Sequence, residues 1–110
     1  LSACASEALN NQLATSQEAV DQARIAGAAD KAPGDFNAAV DKLNQAKSAA
    51  DTRKKDDAMR LAQEAQVDAN LARARTDSVQ ARVAATELTK SNEILRAALA
   101  AQSTSSRGER

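Results

Sequence analysis

No histidine, tryptophan or tyrosine occurs among the 110 residues, and cysteine, proline, phenylalanine and methionine appear once each. Without histidine, acid–base catalysis near neutral pH would rest on carboxylates and lysines. The helical pattern described below puts those groups on solvent-facing positions, with no glycine-rich loop or apolar pocket to shift their pKa values. The composition therefore predicts that the chain is not an enzyme, and no cofactor or small-molecule substrate site is evident in it. A single phenylalanine offers no platform for stacked bases, and a net charge of zero gives no field for a phosphate backbone, which argues against nucleic acid as a partner. No run of eighteen apolar residues is present, so no segment reads as membrane-spanning.

What the chain has in quantity is alanine, 28 residues of it, against nine leucines, five valines and two isoleucines. Alanine has the highest helix propensity and lets helix backbones approach closely, whereas so few large side chains cannot fill a thick globular core. The expected class is all-α: an antiparallel three-helix hairpin or bundle with a long, protruding C-terminal helix.

Periodicity places the helices at about residues 6–28, 33–51 and 56–102. In the first, Leu9, Leu13, Ser16, Val20, Ala23 and Gly27 recur at alternating spacings of four and three, with Ser6 as N-cap and Glu7 in the first turn. Gly27 and the only proline, in "DKAPGDF", mark a break, after which Pro33 suits a first-turn position and Asp35 complements the helix N-terminus. Phe36, Val40, Leu43, Ala46 and Ala50 repeat the seam. The second break, "DTRKKDD", contains neither glycine nor proline, and helix propensity alone would also carry one continuous helix through it. Asp56 and Asp57 fit an N-cap and a first-turn acid there. With Asp51 they offer oxygen ligands of the kind a hard cation takes, but the spacing matches no calcium loop and capping accounts for them, so no metal site is assigned. From Ala58 to Gln102 no breaker intervenes, which makes a helix of about 65–70 Å at 1.5 Å per residue. The last eight residues, 103–110, are polar and unpatterned and are expected to be disordered. "AAVDKLNQAKSAA" and "DAMRLAQEAQVDA" share a rhythm, but one hairpin is too few repeats for a solenoid.

The opening residues, "LSAC", look like a bacterial lipobox, in which small residues suit the peptidase and the thiol takes a diacylglycerol. On this reading residues 1–3 are a signal-peptide remnant and Cys4 is the lipid-bearing first residue of the mature protein. The sequence also starts without methionine and has no second cysteine to pair with Cys4. By resemblance to lipoproteins of this kind, Ala5 and Ser6 rather than Asp after the cysteine imply the outer membrane, periplasmic face.

The series Ala32-Pro33, Ala39, Lys42-Leu43, Ala46, Ala58, Leu61-Ala62, Ala65, Asp68-Ala69 and Leu71-Ala72 resembles the DUF4398 domain over roughly residues 1–75. That domain occurs in proteobacterial envelope lipoproteins, often ahead of an OmpA-like peptidoglycan-binding domain, and has no assigned biochemical activity. No OmpA-like sequence follows here, so the resemblance implies a location without implying peptidoglycan contact.

Counting along an antiparallel bundle places Phe36 near Leu71, with Phe36, Leu43, Leu61 and Leu71 as the core. It also brings the lipid end and the basic turn, Arg53, Lys54 and Lys55, to one end. There the turn would face phospholipid headgroups, unless it is simply solvated. At 100° per residue, Leu61, Ala65, Ala72, Val79 and Val83 share one face of the last helix, whereas Leu88, Leu95 and Leu99 lie on nearly the opposite one. Beyond about residue 75 that helix has no partner from its own chain, so the leucines are expected to bind a second copy or another envelope protein. The functional expectation is a helical protein–protein interaction or assembly element anchored at the outer membrane. A passive spacer of the envelope and a soluble periplasmic cargo-binding module are the alternatives.

Overall fold

The computed structural model describes residues 2–108, and these contain four helices and no strand: α1 Ser2–Ala26, α2 Ala28–Lys31, α3 Pro33–Asp51 and α4 Lys55–Gly108. They fall into two units, one up to Ser78 and one from Val79 onward.

In the first unit the chain turns twice. Gly27 ends α1 in a left-handed conformation, φ 95°, and its carbonyl accepts the N–H groups of Asp30 and Lys31 at 3.2 and 3.1 Å, which starts the single turn of α2. Pro33 then opens α3, where a missing N–H costs nothing, and the Phe36 N–H closes the first turn onto the Ala32 carbonyl at 3.0 Å. The first helix thus stops two residues short of the expected position 28, and it begins earlier than expected. Ser6 lies inside α1 and is not its N-cap.

The core of this unit is built from small side chains. Along α4 the buried positions are Ala58, Ala62, Ala65, Ala69, Ala72 and Thr76, alternating by four and three. Also buried are Leu9, Ser16, Val20 and Ala23 from α1 and Phe36, Ala39, Leu43 and Ala46 from α3, of which Val20, Ala23, Phe36, Ala39 and Leu43 form one cluster with Ala65, Ala69 and Ala72. Phe36 and Leu43 are therefore core residues, but Leu61 is only half-buried and Leu71 is exposed at 40%. The expectation for these two is corrected: the seam runs through the alanines that follow them, Ala62 and Ala72. A stripe that small brings the helices close, and the buried Ser16 hydroxyl donates directly to the backbone carbonyl of Ala62. Beside it, Gln12 Nε2 donates to Gln66 Oε1 at 2.8 Å.

Polar pairs record how the segments meet. Lys47 Nζ donates to Gln17 Oε1 at 2.7 Å, and the Arg24 guanidinium stands 5.6 Å from the centre of the Phe36 ring, linking α1 with α3. Between α3 and α4, Arg75 pairs with Asp35 at 2.6 Å and Lys42 with Asp68 at 2.8 Å. The register between these two pairs sets Phe36 level with the Ala72–Thr76 stretch, a turn beyond the expected Leu71. The contact with Asp68 raises the Lys42 pKa above its ordinary 10.5 against the opposing effect of burial, and Glu64 adds to the rise.

The second unit is helical throughout its described part, Val79–Gly108, and every residue after Val79 is exposed. The expectation of a disordered tail from 103 is corrected for residues 103–108. Serine and threonine continue the helix there, with Thr104 Oγ1 bonded back to the Ala100 carbonyl at 3.0 Å, an arrangement that a helix tolerates. Leu1 of the lipobox and residues 109–110 of the expected tail lie outside the described residues.

Candidate functional site

The candidate residues fall in two places: the end of the first unit that carries Cys4, and the leucine row of the second unit.

At the first, α3 terminates by a specific backbone pattern. The Arg53 N–H bonds to the Ala50 carbonyl at 3.1 Å and the Lys54 N–H to the Ala49 carbonyl at 2.8 Å, the paired bonds of a Schellman motif. That motif needs a left-handed residue after the cap, usually glycine, and here it is Arg53 with φ 61°. Thr52 adds hydroxyl bonds to the Ser48 and Ala49 carbonyls, both at 3.2 Å. Because α3 ends in this way, the chain reverses within three residues, Thr52–Lys54, and α4 starts at Lys55. Asp56 and Asp57 both lie inside the first turn of α4, so Asp56 is not the N-cap; there the two carboxylates oppose the positive end of the helix dipole. Among the described residues no group of three or more histidine, cysteine or acidic side chains is placed to hold a metal ion.

This turn lies beside the start of α1. Lys55 Nζ donates to Ser6 Oγ at 2.8 Å, and Ser6, Leu9, Lys47, Asp51 and Lys55 line one shallow depression. Arg53, Lys54 and Lys55 are exposed, as is Cys4, whose thiol is free. The exposed thiol and three cations therefore share one end of the first unit. Among the described residues no helix is long and apolar enough to cross a membrane.

On the second unit Leu88, Leu95 and Leu99 are 60–63% exposed, and Ile94 and Val83 are exposed at 62% and 50%. Large apolar side chains are thus concentrated in water along this stretch.

The family model for a domain of unknown function, DUF4398, matches residues 11–88. The chain belongs to the DUF4398 family. The match starts later and ends later than the expected 1–75, so the family pattern includes the exposed Leu88 but stops short of Leu95 and Leu99. It also covers most of the three segments that contribute the core. No curated protein matches the chain, and no solved structure does.

Proposed function

We propose that this DUF4398 chain is a lipid-anchored, non-catalytic helical protein of the periplasmic face of the outer membrane, acting by protein–protein contact. The contact surface would be the Leu88, Leu95 and Leu99 row. The observation that carries the proposal is that row itself: three leucines about 60% exposed in the stretch 80–108, where every other described side chain is exposed as well. The sharing of one end by Cys4, Ser6 and the Arg53–Lys55 turn supports the anchor, since acyl chains on Cys4 would bring that basic turn to the headgroups. The first unit is read as an antiparallel three-helix bundle of α1, α3 and the start of α4. Its supports are the reversed order of the pairs: Gln17 meets Lys47 while Arg24 stands against Phe36, and Asp35 meets Arg75 while Lys42 meets Asp68, so residues later in one segment meet residues earlier in the other.

Replacing Leu88, Leu95 and Leu99 together by serine tests the contact surface. The variant should keep the helical signal of the first unit and lose self-association or capture of an envelope partner. Each buried leucine contributes roughly 1.5–3 kcal/mol, so three are enough to hold an interface against the cost of association. Sedimentation across a concentration series and capture from envelope extract read the result. Equal behaviour of the two proteins would mean that the row is a solvated helix face.

A further inference from the structure

We infer that the partner on the leucine row is a second copy of this chain, aligned in parallel as a two-stranded coiled coil with Asn92 facing Asn92. The inference rests on the reading of that row as the contact surface and adds the occupant and its direction.

The spacing fixes a heptad along α4. Ala81, Leu88, Leu95 and Gln102 fall seven apart and take the d position, while Ala85, Asn92 and Leu99 take a. All of these are exposed in the single chain. Leucine at d with one asparagine at a is the pattern of a parallel dimer, because two asparagines at one level hydrogen-bond each other across the seam. In the antiparallel arrangement a faces d, so Asn92 would be buried against leucine with its amide unsatisfied, and that is costly.

The flanking charges agree. Arg82 and Arg96 occupy e, and Asp77 occupies g five residues before Arg82. A parallel pair sets g of one strand against the following e of the other, which brings Asp77 to Arg82 of the second copy on both sides of the seam. An antiparallel pair sets e against e, so Arg82 would meet Arg96 of the second copy twice, like charge against like charge. Val83 and Ile94 fall at f and c, outside the seam, although both are exposed.

The orientation is tested in the full chain with Cys4→Ser, which removes the only native thiol, and Ala81→Cys at an exposed d position. In a parallel dimer the two new sulfurs lie at the same level and oxidation links them. In an antiparallel dimer residue 81 faces residue 99, about 27 Å along the helix from its counterpart. The expected result is rapid cross-linking of Ala81→Cys and none of a Val83→Cys control. Leu88→Ser with Leu95→Ser should weaken dimerisation on the order of a hundredfold or more, and Val83→Ser with Ile94→Ser should leave it nearly unchanged. Asn92→Leu should give mixed or higher oligomers. A chain that sediments as a monomer at every concentration overturns the proposal, as does a dimer that fails to cross-link at residue 81. A monomer that still binds a different envelope protein through the leucine row overturns this inference alone and leaves the proposed function standing.

Discussion

Arg53 holds a left-handed backbone where glycine would carry no side-chain penalty, and for an L-residue that conformation costs roughly 1–2 kcal/mol. Glycine also gains freedom in the unfolded chain, which offsets about half of the relief. Arg53→Gly is accordingly expected to stabilise the first unit by a few tenths to about 1 kcal/mol, read from urea denaturation. A loss of stability would mean that the guanidinium makes contacts outweighing the strain. The position also explains why this turn is hard to place from the sequence. The Schellman bonds are made by backbone groups of Ala49, Ala50, Arg53 and Lys54, and the usual signal for them, a glycine, is absent. At Gly27 the signal is present, and the break it marks is legible from the residue alone.

Among the elements, α3 and the first part of α4 divide the labour of packing: α3 supplies bulk through Phe36 and Leu43, and α4 supplies a smooth row of alanines. Phe36 is 6% exposed, so Phe36→Ala should cost about 3–5 kcal/mol, a large share of a small unit's stability, visible as a lower melting temperature. An unchanged melting temperature would contradict the core described. The alanine row makes the converse prediction. Ala65 is fully buried, and Ala65→Leu should destabilise by about 1–3 kcal/mol through overpacking even though it adds apolar surface. If Ala65→Leu is stabilising, the helices are not held at alanine distance. These two residues also show how far the sequence can be read. Periodicity finds Leu9, Val20, Phe36 and Leu43 because they are large as well as regularly spaced, but in α3 it also selects the half-buried Val40 in place of its buried neighbour Ala39. In α4 the same attention to size selects Leu61 and Leu71, one residue off the true seam, because a helix with neighbours on two sides has room only for methyl groups. The Ser6 cap is misplaced for a related reason: a favourable cap residue does not stop a helix from starting earlier in an alanine-rich stretch. The tail is misread because residues 103–108 lack a pattern, although a helix already formed tolerates a threonine bonded back to its own preceding turn, as Thr104 is.

For the whole molecule, the proposed function puts the basic, cysteine-bearing end of the first unit at a membrane and a protein partner on the leucine row of the second unit. The leucine row is readable from the sequence, and counting along the helices already brings the start of the chain toward the basic turn; the fold adds the particular contact, Lys55 Nζ with Ser6 Oγ. On the proposed anchoring, that proximity would bring the basic turn to the headgroups. The anchor is the premise on which the cellular part of the account depends, and intact-mass measurement after membrane fractionation tests it most directly. For the protein expressed with a full lipoprotein leader, the account predicts recovery in the membrane fraction with acyl groups on Cys4, and release of Cys4→Ser into the soluble fraction. A mature chain that is soluble and carries an unmodified Cys4 thiol would contradict it.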